Sequence, residues 1–301
     1  MTKNIAESVR QRLLNLSKEQ KLDFQNVLIR YGIERILYRL SISTHKDRFF
    51  LKGAMLFAIW ANQPLRPTKD IDLLAQEDSN PDAMKLVFQD ILKIPAPDDG
   101  IVVRDETLEV GIIKGGQQYE GLRVTFKAEL AGAMIPIQID LGFGDAVTPG
   151  PNEVVFPAML EFEKPVLMAY PKETVIAEKF EAMIKLGMVN SRMKDFFDLK
   201  YLLDSFSFEG DSVSSAMKAT FNRRKTAIPD DLPIAFTPVF HSDNGKQRLW
   251  NAFLEKYNIA KDVWELRHVC DSLSEFLMPP CNSVLNGKSF DANWTPGRGW
   301  Q

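Results

Sequence analysis

Hydrophobic residues recur at the spacing of an α-helix along the amino-terminal part of the chain. The first stretch covers residues 4–16 and places these apolar side chains on one face: Ile5, Val9, Leu13 and Leu14. The pattern from Ser17 to Gln20 matches a helix-capping box and predicts that a second helix begins there. Its apolar stripe continues to about residue 41, so we expect two packing helices before the first strand.

A mixture of strands and helices follows as far as about residue 156. FFLKG has the pattern of a buried strand, AMLFAIWAN that of a buried helix, and KDIDLLAQ alternates acidic with apolar residues as a strand does. The prolines of QPLRPT predict a loop between the last two segments, and MKLVFQDILKI predicts another helix. Short strands are then expected at IVV, LEVGII, LRVTFKAEL and IPIQIDLGF.

Beyond Tyr170 the periodicity becomes helical. It is found in residues 172–188, 194–206, 213–225, 246–257 and 263–278. Trp250, Phe253 and Tyr257 form a stripe at helical spacing, which we interpret as core. The pattern therefore predicts an α+β protein, with a mixed sheet domain and its leading helices over residues 1–160 and an all-helical domain over residues 161–301.

Composition and net charge exclude several classes of protein. The 301 residues are 45% hydrophobic and 26% charged, which excludes a disordered chain or a coiled coil. A net charge of −3 excludes a polycation that coats nucleic acid, so any such contact must be local. The concentrated basic run Arg223, Arg224 and Lys225 is a candidate RNA contact or plain surface.

The cysteines and the hydrophobic segments of the sequence indicate the cellular compartment and argue against a structural zinc site. Cys270 and Cys281 are the only cysteines and lack the paired spacing of a structural zinc site, which indicates reduced intracellular thiols. Neither a signal peptide nor a membrane span is apparent, so we expect a cytoplasmic protein without a membrane partner.

Three acidic residues carry the most informative pattern. Asp70 and Asp72 are two apart on a predicted strand, so their carboxylates lie side by side. Asp140 lies in a later strand between Ile139 and Leu141, which face the core. Clustered carboxylates repel unless a cation relieves the repulsion, and oxygen ligands favour Mg²⁺ or Mn²⁺. Two such ions can activate an attacking hydroxyl and hold a triphosphate, so the pattern predicts nucleotidyl transfer.

The residues around the first strand are candidates for phosphate binding. Gly53 ends that strand, and a turn without a side chain lets backbone amides approach phosphate. We therefore expect Lys52, Gly53 and Ala54 to line the nucleotide site. Arg66 and Thr68 precede the acidic pair and offer a guanidinium and a hydroxyl to the triphosphate, although Arg66 can equally pair with a surface acid.

These motifs resemble those of known enzymes. FLKGAMLFAIW, RPTKDIDLL and IQIDLGFGD resemble the pattern of DNA-polymerase-beta-like nucleotidyltransferases, with Ala54 where that superfamily has Ser or Gly. The run YPKETVIAEKFEAMIKLGMVNSRMKDFFDL is similar to the AbiEii/AbiGii nucleotidyltransferase toxin family. The resemblance implies a polymerase-beta-like mixed sheet with flanking helices, followed by a helical domain. It also implies that Lys179 contacts nucleotide phosphates and that Asp195 or Asp198 is the acidic residue of the downstream helix.

The resemblance further implies a reaction and its partners. The expected reaction is Mg²⁺-dependent transfer of a nucleoside monophosphate from an NTP to the 3′ end of transfer RNA, which prevents aminoacylation. A cognate antitoxin, typically a transcriptional regulator, and a role in abortive infection against phage are implied as well. Two alternatives stay open: the acceptor is a protein side chain, or the protein binds nucleotide without turnover.

Overall fold

The structure, a computed structural model, describes residues 4–61, 68–76, 79–96, 98–113, 121–260 and 263–301. The chain divides into two compact units. One contains the residues up to Gly144 together with Pro151–Tyr170, and the other contains Asp145–Gly150 together with Pro171–Gln301. No helix in the described ranges is both long enough and apolar enough to cross a membrane.

Two helices lead into the first unit, as the apolar periodicity predicts. Helix α1 spans Ile5–Glu19 and helix α2 spans Phe24–Ser41. The predicted cap at Ser17 is wrong, because this residue is buried inside α1 and its hydroxyl donates to the carbonyl of Leu14. The side chain of Asp23 caps α2 instead, so the first helix runs longer and the second begins later.

Seven strands form one mixed sheet in the first unit, which confirms the predicted fold class. They are β1 Phe49–Lys52, β2 Ile71–Ala75, β3 Ile101–Ile113, β4 Gly121–Leu130, β5 Ala133–Phe143, β6 Asn152–Val155 and β7 Val166–Ala169. Their order is β3-β4-β5-β2-β1-β7-β6, with parallel pairing at β2–β5 and β1–β7. Since β7 pairs with β1, the first unit continues past residue 160. The predicted strands IVV and LEVGII are one long strand, β3, with an irregularity between Arg104 and Glu109.

Helices cover one face of this sheet. Besides α1 and α2 the unit contains α3 Leu56–Trp60 and α4 Pro81–Leu92. Helix α2 packs closely on β5 at Gly32, where a Cβ atom would lie 2.9 Å from Cγ2 of Ile135. Alternate residues of β4 and β5, such as Val124 and Ile139, are buried on this face. The intervening residues point to the other face, which carries the polar side chains.

Helix α2 also carries buried charges. Asp99, in the loop before β3, accepts hydrogen bonds from Arg35 at 3.0 Å and from Arg39 at 2.8 Å. Glu34 accepts from the backbone N–H of Met159 at 2.7 Å. Burial raises the pKa of Glu34 to about 7, although this hydrogen bond and nearby Arg35 oppose the shift. These side chains attach two loops of the first unit to α2.

The second unit is predominantly helical. Its helices are α5 Lys172–Leu186, α6 Met193–Ser205, α7 Gly210–Arg224, α8 Pro238–His241, α9 Asn244–Lys256 and α10 Leu266–Leu285. Three short strands add a small sheet: β8 Phe208–Glu209, β9 Asn293–Thr295 and β10 Gly299–Trp300. In this sheet Trp294 is buried and packs edge-on against Phe276 of α10. Trp250 on α9 is buried as predicted and stacks on Phe253.

Candidate active site

A row of charged residues crosses the open face of the sheet. Lys52 of β1 lies opposite Asp72 of β2, which lies opposite Asp140 of β5, which in turn lies opposite Arg123 of β4. Residues opposite each other on paired strands project from the same face. Two neighbouring carboxylates therefore lie in the middle of the row with one cation at each end.

Asp70 completes a cluster of three carboxylates, immediately before β2. Asp70, Asp72 and Asp140 each offer an oxygen atom, and these oxygens lie within 4.8 Å of one another. All three residues are half-buried. The hydroxyl of Thr68 donates to Oδ1 of Asp70 at 2.6 Å, so this hydroxyl contacts a carboxylate of the cluster.

Gly53, at the end of β1, lets the carboxylate of Asp72 lie close to the backbone. The residue has a φ of 72°, and a Cβ atom would lie 2.0 Å from Oδ2 of Asp72. No side chain larger than hydrogen fits without moving that carboxylate. Ala54 follows in a 3-10 turn, Gly53–Met55, and Nζ of Lys52 lies 5.1 Å from the ring centroid of Tyr170. Arg66, also predicted to contact phosphate, lies outside the described residues.

Arg123 is the residue of this site that sequence reasoning missed. Its Nε and Nη2 donate to Oδ1 and Oδ2 of Asp140, each at 2.8 Å. Hydrogen bonding to Asp140 raises the pKa of Arg123, and the charges of Asp70 and Asp72 add to this effect. The only signal in the sequence is its position in the alternation of LRVTFKAEL, which places Arg123 on the polar face.

The three carboxylates have the chemistry of a divalent-cation site. Their oxygens are the hard ligands that Mg²⁺ and Mn²⁺ prefer, and they converge from two segments of the chain, one with Asp70 and Asp72 and the other with Asp140. Like charges this close need compensation, and the described residues supply part of it through Arg123. Asp70, Asp72 and Asp140 are therefore the residues that could hold the metal of a metal-dependent enzyme.

A second charged cluster lies within the helical unit. Nζ of Lys179 on α5 donates to Asp195 at 2.6 Å and to Asp198 at 2.9 Å, both on α6. The two carboxylates are buried and 13% of the lysine side chain is exposed. Burial opposes the charge on Lys179, but these two anions outweigh burial and raise its pKa above the usual value. Both candidate acids of α6 thus contact the lysine.

Within the described residues, two carboxylates accept hydrogen bonds from the ammonium group of Lys179. An ammonium group has three N–H donors, and two of them are used by Asp195 and Asp198. Asp195 also lies near Arg192, with Nε 2.7 Å from Oδ2. The carboxylate of Asp198 is buried against Lys179 and is therefore not an exposed surface group.

The basic run on α7 is partly used inside the second unit. Arg224 forms ion pairs with Asp145 at 3.2 Å, with Glu178 at 3.0 Å and with Glu181 at 2.9 Å. Burial disfavours the charge of Arg224, but the three carboxylates outweigh it and raise its pKa. Asp145 lies outside the helices, just after β5, and is one of these partners. Arg223 and Lys225 are the exposed members of the run.

Converging carboxylates on the polar face of a mixed sheet fit the class of protein that the family match shows, a nucleotidyltransferase. The chain belongs to the AbiEii nucleotidyl transferase toxin family of type IV toxin-antitoxin systems, which matches residues 35–272. This span includes every described residue of the two charged clusters.

Two solved structures that match this chain come from Helicobacter pylori. One is a candidate nucleotidyltransferase with 15% identity and a TM-score of 0.49, covering 89% of this chain and all of that protein. The other, JHP933, has 14% identity and a TM-score of 0.46, covering 84% of this chain and 90% of its own. A comparison with curated proteins gives no significant match. The assignment rests on the family match.

Proposed function

We propose that this nucleotidyltransferase transfers a nucleoside monophosphate from an NTP to the 3′ end of transfer RNA, using Mg²⁺ or Mn²⁺. The observation that carries the proposal is the convergence of Asp70, Asp72 and Asp140, whose oxygens lie within 4.8 Å of one another. The sequence motifs that resemble tRNA-modifying toxins support the choice of acceptor. A blocked 3′ end cannot be aminoacylated, so translation and growth would stop.

In the proposed reaction the acceptor hydroxyl attacks the α-phosphorus of the NTP. A new P–O bond forms, the bond to pyrophosphate breaks, and pyrophosphate leaves. Asp70 and Asp72 would hold the divalent ions, which neutralise phosphate charge and orient the reacting groups when bound. Asp140 completes this ligand set and accepts the proton of the attacking hydroxyl.

The remaining residues bind the phosphates. The family resemblance gives Lys179 a role in phosphate binding, and Asp195 and Asp198 hold its ammonium group in place and keep it charged. The backbone amides of Gly53 and Ala54 donate to the triphosphate, with Lys52 and Arg66 supplying positive charge. Thr68 orients Asp70 through its hydrogen bond.

The toxin family also implies a biological setting. The substrates place the enzyme in the cytoplasm, where NTPs and transfer RNA are found. A cognate antitoxin acting as a transcriptional regulator would control its abundance, and release of the toxin during phage infection would stop growth of the host cell.

Incubation of the purified protein with each α-labelled NTP, Mg²⁺, and either total RNA or total protein tests the proposal. We expect label at the 3′ end of transfer RNA, which periodate-sensitive end analysis would locate. The Asp72→Asn variant should label no acceptor. The Asp105→Asn variant, which changes an exposed carboxylate of β3, should label the acceptor as the wild-type protein does. Label in the protein fraction alone would show that the acceptor is a protein side chain. No label in either fraction would refute turnover.

A cellular experiment tests the consequence of the reaction. Induced expression of the wild-type chain without its antitoxin should stop growth, and Asp70→Ala should abolish the arrest because the metal site loses a ligand. Growth arrest that persists in this variant would contradict a catalytic cause and support binding without turnover.

A further inference from the structure

The pairing of Arg123 with Asp140 is unusual for a carboxylate that must also bind a metal. Both oxygens of Asp140 accept from the guanidinium, and the amide of Gln138 lies 3.3 Å from Oδ1 and 3.4 Å from Oδ2. The bidentate arrangement is the strongest ion pair that an arginine makes with a carboxylate. Asp140 therefore has a cation of the protein itself as a partner.

Charge balance explains why such a partner is present. Asp70, Asp72 and Asp140 bring three carboxylates together, and without compensation their repulsion would separate the strands that carry them. Arg123 lies at the β4 end of the row and neutralises the outermost member. A divalent ion supplies the same compensation when it binds, so the ion and the guanidinium compete for one carboxylate.

We propose that Arg123 is an exchangeable counter-cation that positions Asp140 in the metal-free enzyme and releases it when a divalent ion binds. The inference rests on the proposed metal-dependent function. In the loaded enzyme Asp140 directs an oxygen at the ion, and the guanidinium of Arg123 moves to the side of β4 that faces β3. Arg123 is thus a positioning residue for the third carboxylate, and its presence weakens metal binding.

The structure offers a place for the released side chain. Across β4 from Asp140 the residue opposite Arg123 is Gly111 of β3, and a Cβ atom there would meet nothing within 4 Å. An open cavity of about 420 Å³ lies at this point, lined by Arg123, Gly111, Glu109 and Thr125 among others. Arg123 is already 45% exposed, so leaving Asp140 requires little further change in its hydration.

Glu109 supplies a second acceptor for the guanidinium. It lies opposite Thr125, two residues along β4 from Arg123, and therefore occupies the diagonal position on the same face. Long side chains reach diagonal neighbours, which are about 7–8 Å apart between backbones. The guanidinium can thus exchange one carboxylate for another across the width of a single strand.

Calorimetric titration of the full-length protein with Mn²⁺, without nucleotide, tests the competition. Arg123→Gln removes the competing charge, and we expect its Kd for Mn²⁺ to fall about tenfold, which is about 1.4 kcal/mol. Arg123→Lys keeps the charge and should stay within about threefold of wild type. A Kd for Arg123→Gln that equals or exceeds the wild-type value, in a protein with unchanged circular dichroism, would overturn the inference.

A matched ion pair between β3 and β4, the neighbouring strand pair of the same sheet, provides the control. Arg104 pairs with Glu129 and is exposed to a similar extent, 42% against 45% for Arg123. Arg104→Gln should leave the Kd for Mn²⁺ unchanged, because this pair lies away from the three carboxylates. An equal tightening in this variant would assign the effect to net charge and refute a specific role of Arg123.

The movement itself can be observed in the wild-type protein, which removes any dependence on the folding of a variant. The Nε–Hε NMR signal of Arg123, assigned with Arg123→Lys, should shift when Mg²⁺ saturates the site. In Asp140→Asn the same addition should leave it in place. A signal that does not respond to Mg²⁺ in the wild-type protein would show that the guanidinium stays on Asp140.

Failure of this inference and failure of the proposed function give different results. Wild-type protein that binds no Mn²⁺, or Asp72→Asn that binds it equally well, would refute the metal site itself. Wild-type binding that Asp72→Asn weakens, together with an unchanged Kd in Arg123→Gln, would retain the metal site and reject only the exchange.

Discussion

At the scale of single residues, the contact between Gly53 and Asp72 leaves no room for a side chain at position 53. The backbone of Gly53 has positive φ, and the carboxylate of Asp72 occupies the place where a Cβ atom would project. The expected approach of phosphate to backbone amides favours a glycine here. The structure adds a second reason, because the close approach of β1 to Asp72 also excludes a side chain.

Gly53→Ala should therefore cost both stability and metal binding. The left-handed backbone alone costs about 1–2 kcal/mol for an alanine, and the Cβ atom must in addition displace the Asp72 carboxylate. We expect a lower melting temperature and a Kd for Mn²⁺ raised about tenfold or more. Calorimetry and thermal unfolding measure the two effects separately.

Gly132→Ala is the matched control, since Gly132 also has positive φ but a Cβ atom there would meet nothing within 4 Å. This variant should show the loss of stability without the loss of Mn²⁺ binding. Equal Kd values for the two variants would mean that Gly53 acts through its backbone conformation alone.

At the scale of elements, strand register decides which charges meet. Asp72, Asp140 and Arg123 lie on β2, β5 and β4, and a shift of one residue in either pairing would turn a side chain to the opposite face. The alternation within each strand is visible in the sequence, so the polar face could be predicted. The partner opposite each residue could not, because register depends on packing across the whole sheet.

Helix α2 gives an element-level prediction about pH. The pKa of Glu34 is raised by burial to about 7 in the folded protein, whereas an unfolded chain has an ordinary glutamate. Between the ordinary glutamate pKa of 4.5 and about 7, the folded state binds more protons than the unfolded state, so stability falls as pH rises toward 7. Above that pH the full cost of an ionised buried Glu34 is present.

Glu34→Gln should therefore stabilise the protein at pH 8.5 by about 1–3 kcal/mol and have little effect near pH 4.5. The glutamine carbonyl can still accept from the N–H of Met159. Denaturant midpoints at the two pH values measure the difference. Glu19→Gln, an exposed position of α1, serves as the control, and equal effects of Glu34→Gln at both pH values would contradict the buried charge.

At the scale of the whole molecule, the candidate site residues divide between a sheet unit and a helical unit. The sheet unit holds the three carboxylates, and the helical unit holds Lys179 with its two aspartates. The basic run on α7 also belongs to the helical unit, but Arg224 is tied to three carboxylates there. Any RNA contact by this run must therefore depend on Arg223 and Lys225.

Replacing Arg223 and Lys225 together by glutamine should weaken binding of transfer RNA and lower the slope of log K against log salt by about 1.5. Fluorescence anisotropy at several salt concentrations measures both quantities. Arg224→Gln should instead destabilise the fold by about 3 kcal/mol, because it removes the cation that Asp145, Glu178 and Glu181 share. An unchanged salt slope in the double variant would show that the two residues are ordinary surface.

The sequence by itself determined the periodicity of most elements, the fold class, the acidic pair of β2 and the family, because these depend on local patterns and short motifs. The tertiary structure decided which distant groups meet: Asp140 with Asp72, Arg123 with Asp140, Asp195 and Asp198 with one lysine, and Arg224 with three acids. Those contacts join residues far apart along the chain, so their partners follow from packing and register, which no local pattern specifies.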